Sequence, residues 1–114
     1  MSTNEKTRVA LCGYGPMGRM HAELLAKQPD VSIVGVADAE AELRQRAERE
    51  TGAPSFPTAE ALIDGVAADA AIVATPTFMH ARHTLHALTK GLHVLCEKPM
   101  ALEAGECEEM AKAA

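Results

Sequence analysis

The chain has 114 residues, of which 47% are hydrophobic and 24% charged, and its formal net charge is −5. This length suits one compact domain, and an acidic chain without a basic cluster argues against nucleic acid as a partner. No apolar run reaches the roughly 18 residues of a membrane span, and the polar start does not resemble a secretory signal. We therefore expect a cytoplasmic protein that does not bind membranes.

The first half of the chain predicts two strand–helix units. In order, these are a strand over 8–12, a helix over 17–27, a strand over 31–37 and a helix over 39–50. The large apolar residues of the first helix recur on one side, which we expect to be buried. They are Met17, Met20, Leu24 and Leu25. In the charged second helix, two pairs have the i,i+4 spacing of ion pairs. They are Glu40 with Arg44, and Glu42 with Arg46.

The second half begins with a short edge strand over 54–57, since proline is tolerated only at the edge of a sheet. Thr58 is placed to cap a brief helix that Gly65 ends. The remaining elements are a strand over 69–75, a helix that ends at Gly91, a strand over 93–97 and a last helix over 104–114. Strands alternating with helices predict an α/β fold with a doubly wound parallel sheet of Rossmann type, in strand order 3-2-1-4-5.

Residues 13–18 read Gly-Tyr-Gly-Pro-Met-Gly and match GxGxxG between a strand and a helix, the context of a dinucleotide-binding turn. The first glycine permits the tight turn, the second lets pyrophosphate approach the backbone, and the third lets the helix pack closely. Backbone N–H groups and the positive helix end would bind the diphosphate. The candidates here are Gly13, Gly15, Pro16, Met17 and Gly18. A glycine-rich turn without a ligand is the alternative.

Asp38 lies twenty residues after Gly18, directly after the second strand. A carboxylate there accepts hydrogen bonds from the adenosine ribose hydroxyls and repels a 2′-phosphate, so NAD is favoured over NADP. The other interpretation is a helix N-cap, and the two roles are compatible.

Three histidines, His80, His83 and His86, follow one another at three-residue spacing, which suggests metal ligands on a helix. The apolar stripe of that helix is expected to run through Phe78, Ala81, Leu85 and Leu88. We therefore predict that the histidines fan out over a solvated face and that no metal is bound. His80 alone, at the start of the helix, can reach a cofactor. Cys12 and Cys96 fall in predicted strands and are expected to be buried and unreactive.

Two further motifs carry a family resemblance. One is Ala74-Thr75-Pro76-Thr77 with His80 just after it, and the other is residues 91–101, which contain Glu97-Lys98-Pro99. With the glycine turn and His21, these motifs make the chain resemble the Gfo/Idh/MocA family (glucose–fructose oxidoreductase, inositol dehydrogenase and a rhizopine-catabolism protein). The resemblance implies an NAD(P)-dependent oxidoreductase that transfers hydride between nicotinamide and a hydroxyl of a sugar, cyclitol or related polyol.

The resemblance also implies roles for individual residues. Lys98 is the catalytic candidate, because an ammonium beside a reacting alcohol stabilises developing alkoxide charge and can relay a proton. Thr75 and Pro76 would line the nicotinamide side, and Glu97 would lie by the nicotinamide ribose. The cofactor-binding candidates in these motifs are Ala74, Thr75, Pro76, His80, Glu97 and Lys98.

Members of that family run to about three times this length, with a C-terminal domain that holds the substrate and the oligomer contacts. We therefore expect residues 1–114 to be the NAD-binding domain of a longer chain. The whole protein is expected to bind a sugar or polyol through the second domain and to form a homo-oligomer, whereas this domain alone should show little turnover. A non-catalytic NAD-binding or redox-sensing module is the alternative, although a sensor has no need of Lys98.

Overall fold

The computed structural model describes residues 6–96. In chain order the elements are β1 Thr7–Cys12, α1 Pro16–Ala26, β2 Val31–Ala37, α2 Ala41–Thr51, β3 Ser55–Phe56, α3 Ala59–Gly65, β4 Ala70–Val73, a 3₁₀ turn Thr77–Met79, α4 His80–Thr89 and β5 His93–Cys96. These elements confirm the predicted alternation over the described range. The predicted last helix and the side chain of Cys96 lie outside the described residues.

The sheet has the strand order β3-β2-β1-β4-β5, and its pairings are all parallel. This order confirms the Rossmann-type prediction. The chain moves outward from β1 to β2 and β3, then crosses back to β4 and β5 on the other side. The strand order therefore reverses at β1, and a crevice is expected beyond the carboxyl ends of β1 and β4.

Two layers of core residues lie on the two faces of the sheet. Alternate residues of β1 serve different clusters: Leu11 packs with Ala22 and Ala47, whereas Cys12 packs with Leu62 and Ala87. This alternation follows from the two-residue period of a strand. Burial raises the pKa of the Cys12 thiol to about 12, so Cys12 is the inert, buried cysteine that the sequence predicts.

The buried side of α1 differs from the prediction. Three of the four residues expected there are between 41% and 53% exposed: Met17, Met20 and Leu24. Gly18 and Ala22 are buried instead, and Leu25 is partly buried against the core. The physical reason is the close approach of α1 to the preceding turn, since a Cβ atom on Gly18 would lie 1.9 Å from the carbonyl oxygen of Gly13. Beside the turn, only small side chains fit on that side of the helix.

The predicted ion pairs of α2 are also wrong. The helix begins two residues later than expected, at Ala41, and Glu40 is its N-cap with an extended backbone. Arg44 donates from Nη1 to the carbonyl oxygens of Asp38 and Ala39, at 2.9 and 3.1 Å. Arg46 pairs with Glu50 at 3.3 Å, one turn later in the helix, rather than with the predicted partner Glu42.

The helix ends and the sheet edge follow their local signals. The edge strand β3 lies between Pro54 and Pro57, as predicted. Thr58 caps α3, because its side chain accepts a hydrogen bond from the amide of Ala61 at 3.0 Å. At the end of α4, Gly91 has φ +81°, which a side chain would strain. The amides of Gly91 and Leu92 donate to the carbonyls of the last helical turn, the pattern of a Schellman motif.

The buried face of α4 agrees with the predicted stripe only in part, since Ala81 is buried and Leu85 and Leu88 are partly buried. Phe78 belongs to the 3₁₀ turn and is 66% exposed. The buried residues of α4 are His80, Ala81, His83, Thr84 and Ala87. The prediction that the histidines form a solvated face is therefore wrong for two of the three. The error arises because Phe78 does not belong to the helix, so it shifts the apparent phase of the apolar pattern.

Candidate functional site

A cleft of about 560 Å³ opens at the carboxyl ends of β1, β2 and β4. The predicted cofactor-binding residues that line it are Gly13, Gly15, Met17, Asp38, Ala74, Thr75, Pro76 and His80. Two others do not line the cleft: Gly18 is buried, and Pro16 is exposed at the start of α1. Glu97 and Lys98 lie outside the described residues. A smaller cavity of about 440 Å³, lined by α1, β2 and the end of α2, contains none of the predicted site residues.

The three glycines of the turn have different surroundings. Gly13 has φ +102°, and a Cβ atom there would lie 2.6 Å from the carbonyl oxygen of Ala74. Gly18 has no room for a Cβ atom beside Gly13. A Cβ atom on Gly15 would meet nothing within 4 Å. The fold therefore requires glycine at positions 13 and 18, whereas the missing side chain of Gly15 only keeps the cleft open.

The start of α1 supplies backbone donors to this cleft. Gly15 is the N-cap without a side-chain cap, and Pro16 occupies the first turn. The first N–H groups of a helix have no acceptor inside it, and they form a ready anion site. Pro16 has no N–H, so it contributes its fixed φ angle rather than a donor.

Asp38 is held in place by backbone donors. Its Oδ2 accepts from the amide of Tyr14 and its Oδ1 from the amide of Glu40, both at 2.9 Å. The alternative that Asp38 is the N-cap of α2 is wrong, because Glu40 holds that position. The carboxylate instead ties the glycine turn to the loop before α2. Each of its oxygens can accept a further hydrogen bond.

Tyr14 anchors the glycine turn to α2, a role that the sequence analysis missed. Its hydroxyl donates to Glu50 Oε1 at 2.6 Å, and Glu50 also pairs with Arg19 and Arg46. Burial and the hydrogen bond to Glu50 raise the pKa of Tyr14 to about 12. The hydrogen bonds from Arg19 and Tyr14 lower the pKa of Glu50 to about 2. Nothing in the GxGxxG pattern specifies this side chain, so the pattern alone could not have identified it.

Behind Thr75 lies a group of buried polar side chains. His80 Nε2 donates to the carbonyl oxygen of Thr75 at 2.6 Å, and His83 Nδ1 lies 2.8 Å from Thr75 Oγ1. Both histidines are 2% exposed. The other ring nitrogen of His83 lies 3.6 Å from Glu60 Oε1 in α3. Burial lowers the pKa of His83, so its imidazole is neutral near pH 7.

The sequence identified His80 as a site residue but not His83 or Glu60. Within residues 6–96, no group of three or more His, Cys, Asp or Glu side chains is arranged to hold a metal ion. The third histidine of the series, His86, pairs with Asp64 at 3.0 Å and is part-exposed. Every helix in the described part of the chain is too short or too polar to cross a membrane.

Relatives of known function share this domain. A family model described as GFO_IDH_MocA, oxidoreductase family, NAD-binding Rossmann fold, matches residues 7–114. The chain is 38% identical over 103 residues to glucose-6-phosphate 3-dehydrogenase of Bacillus subtilis, which covers 90% of this chain and 29% of that protein. It is 33% identical over 111 residues to inositol 2-dehydrogenase of Rubrobacter xylanophilus, covering 96% of this chain and 32% of that protein.

Solved structures give the same result. The structure of myo-inositol 2-dehydrogenase from Lactobacillus plantarum has a TM-score of 0.90 and 32% identity, and the match covers 96% of this chain and 33% of that one. The WlbA dehydrogenase from Bordetella pertussis, in complex with NADH and UDP-GlcNAcA, has a TM-score of 0.91 and 32% identity, covering 96% and 34% of the two chains. The chain thus spans about a third of the length of these relatives. It belongs to the GFO_IDH_MocA oxidoreductase family, whose members share an NAD-binding Rossmann fold.

Proposed function

We propose that the chain is the NAD-binding domain of an oxidoreductase that transfers hydride between nicotinamide and a hydroxyl-bearing carbon of a sugar, cyclitol or related polyol. The observation that carries the proposal is the open space at Gly15. It is the one glycine of the GxGxxG pattern whose missing side chain serves no contact inside the described protein. Space for a ligand beside the start of α1 accounts for a glycine at that position.

Residues at both ends of the cleft support the binding of a dinucleotide. The amides at the start of α1 offer a site for the diphosphate, and Asp38 offers acceptors for the adenosine ribose hydroxyls. Ala74, Thr75, Pro76 and His80 line the other end, beyond β4. NAD supplies the hydride chemistry when bound, and these residues bind and orient it. Asp38 opposes the 2′-phosphate of NADP by charge repulsion, which favours NAD.

The substrate class rests on the relatives, whose names are those of dehydrogenases acting on sugars and inositols. These names give no support to the alternative of a non-catalytic sensing module. We propose that a second domain holds the substrate and the oligomer contacts. We also propose that Lys98, two residues beyond the end of β5, assists proton transfer at the reacting hydroxyl. A cytoplasmic location stays a prediction of the sequence.

Calorimetric titration with NAD and NADP, side by side, tests the proposal. We expect NAD to bind and NADP to bind at least about tenfold more weakly, because one unfavourable charge contact costs on the order of one to two kcal/mol. ADP-ribose is the control, since it retains the diphosphate and the adenosine ribose. Tighter binding of NADP would contradict the role of Asp38, and no binding of any of the three would contradict the proposed function.

A further inference from the structure

We propose that Glu60 and His83 form a positioning pair that fixes the hydroxyl of Thr75 as a hydrogen-bond acceptor toward the cleft, for an N–H donor such as the amide of nicotinamide. This inference rests on the proposed function for its ligand. The pair itself is a property of the described residues. His83 lines the inner edge of the cleft but is only 2% exposed, and Glu60 does not line it, so the pair would act on the ligand chiefly through Thr75.

His83 is buried, and one of its ring nitrogens has no hydrogen-bond partner. Thr75 follows β4 and His83 lies in α4, and the distance between Thr75 Oγ1 and His83 Nδ1 is 2.8 Å. His83 Nε2 is buried and has no hydrogen-bond partner. The group it faces is the carboxylate of Glu60, at 3.6 Å, whose side chain is 23% exposed. A buried ring nitrogen without a hydrogen bond costs free energy, and such groups in folded proteins need an explanation. The carboxylate that this nitrogen faces suggests one.

The chemistry of the two partners fixes the position of the proton on His83. An ionised carboxylate can only accept a hydrogen bond, and a neutral imidazole carries one N–H. Burial raises the pKa of Glu60, but its own backbone hydrogen bond and its ion pair with Arg82 act against this effect, and the pKa is lowered overall. The N–H of His83 is therefore on Nε2, facing Glu60. Nδ1 is then an acceptor, and the Thr75 hydroxyl must donate to it.

A hydroxyl group has one hydrogen and two acceptor lone pairs. With its hydrogen directed to His83, Thr75 offers only lone pairs to the cleft that it lines. His80 holds the carbonyl oxygen of the same residue, so Thr75 is restrained at two points. Other charged or titratable groups near His83 are Arg82, His80 and His86, and each of them acts against a positive charge on His83. The donors in this series of side chains therefore all point the same way: the hydroxyl of Thr75 toward His83, and the N–H of His83 toward Glu60.

The position of Thr75 in the fold indicates which part of a dinucleotide it would meet. Thr75 follows β4 and Asp38 follows β2, with β1 between these two strands. The two residues are therefore about two strand spacings apart, roughly 10 Å, on opposite sides of the glycine turn. With Asp38 at the adenosine ribose, the second nucleoside would extend toward Thr75, where a carboxamide N–H can donate to Oγ1.

The binding test uses three ligands: NAD, its 3-acetylpyridine analogue, which has no amide N–H, and ADP-ribose, which has no nicotinamide. We expect the wild-type chain to prefer NAD over the analogue about fivefold to tenfold, the effect of one hydrogen bond. In His83→Leu and Thr75→Val this preference should fall by roughly threefold or more, with unchanged affinity for ADP-ribose. Unchanged preference in both variants would overturn the inference.

His86→Leu is the matched control. His86 is a histidine of the same helix and also faces a carboxylate of α3, that of Asp64, to which it is hydrogen-bonded at 3.0 Å, but it does not line the cleft. Its removal should leave the preference for NAD unchanged. A loss equal to that of His83→Leu would show that any weakening of the contact between α3 and α4 has the same effect, and this would contradict a positioning role.

The tautomer of His83 gives a second readout that needs neither ligand nor variant. In ¹⁵N nuclear magnetic resonance of the wild-type chain, Nε2 should show the shift of a protonated ring nitrogen and Nδ1 that of an unprotonated one. The opposite tautomer would make Thr75 a donor to the cleft and would overturn the inference even if NAD binds. Failure of both NAD and ADP-ribose to bind the wild-type chain would instead contradict the proposed function.

Discussion

The two sides of the cleft are built from different kinds of groups. The turn side, which consists of residues 13–18 and Asp38, presents backbone amides and a carboxylate that backbone donors hold. The threonine side, which consists of Thr75, His80 and His83, presents a hydroxyl that depends on buried histidines. The positions of the backbone groups are fixed by the path of the chain. The orientation of the Thr75 hydroxyl instead depends on which ring nitrogen of His83 carries the proton. We therefore expect added side-chain atoms to impair binding at the turn side, and a change in hydrogen bonding or protonation to impair it at the threonine side.

The largest expected effect is that of Gly18→Ala on stability. The new Cβ atom would lie 1.9 Å from the carbonyl oxygen and 2.7 Å from the carbonyl carbon of Gly13, and a backbone group cannot rotate away as a side chain does. We expect a loss of about 3 kcal/mol or more in the free energy of unfolding, at the upper end of the range for overpacking. Urea denaturation measures this loss. A variant as stable as the wild type would contradict the close approach of α1 to the turn.

Gly15→Ala is expected to change binding without changing stability. Its φ and ψ of −73° and −167° suit any residue, and nothing lies within 4 Å of the added carbon. The methyl group would occupy space that the diphosphate needs, so we expect at least about a tenfold loss of NAD affinity. Calorimetry measures the affinity, and the urea midpoint should match that of the wild type. If the variant bound NAD with the affinity of the wild type, the diphosphate would have to bind elsewhere.

Asp38→Ala is expected to have a mixed effect. It removes the acceptor for the amides of Tyr14 and Glu40, so the free energy of unfolding should fall by about 1 kcal/mol or more. The affinity for NAD should fall more than the affinity for NADP, because the loss of the ribose contact is offset for NADP by relief of charge repulsion. Calorimetry with both cofactors measures the ratio, and equal fractional losses would count against the ribose contact.

The smallest effect is expected for Glu50→Gln, and it depends on pH. The pKa of Glu50 is lowered from 4.5 to about 2, so its stabilising contribution is complete above about pH 4.5 and is lost as the pH falls toward 2. The difference in urea midpoint between the wild type and the variant should therefore shrink over that range. Because Glu50 is partly exposed, the difference should be modest. A difference that stays constant from pH 6 to pH 2 would contradict the ion pairs around Glu50.

The turn side could be predicted from the sequence because its signals are local. The GxGxxG pattern and the aspartate twenty residues later depend only on the order of residues along two strands and one helix. The alternation of strands and helices likewise predicted the order of the sheet. Thr58 and Gly91 acted as the helix start and stop signals that their types suggest.

The threonine side could not be predicted in full because its key contact is distant in sequence. His83 is buried by the packing of α4 against α3, which brings Glu60 beside it. A single sequence shows no periodicity that pairs these two residues. The buried face of α1 was misjudged for another reason. Large apolar residues usually mark the packed side of a helix, but the close approach of α1 to the glycine turn selects small residues such as Gly18 and Ala22.

The shape of β3 has a consequence for how copies of this domain can meet. Strand β3 has two residues, lies at one edge of the sheet and is flanked by Pro54 and Pro57. The carbonyl oxygens of Pro54 and Phe56 already accept from Val36 and Asp38 of the neighbouring chain segment. Proline has no N–H to offer a strand from another molecule, and so short an edge gives little template for one. Growth of the sheet from one molecule to the next is therefore disfavoured at this edge, which protects the fold against edge-to-edge aggregation.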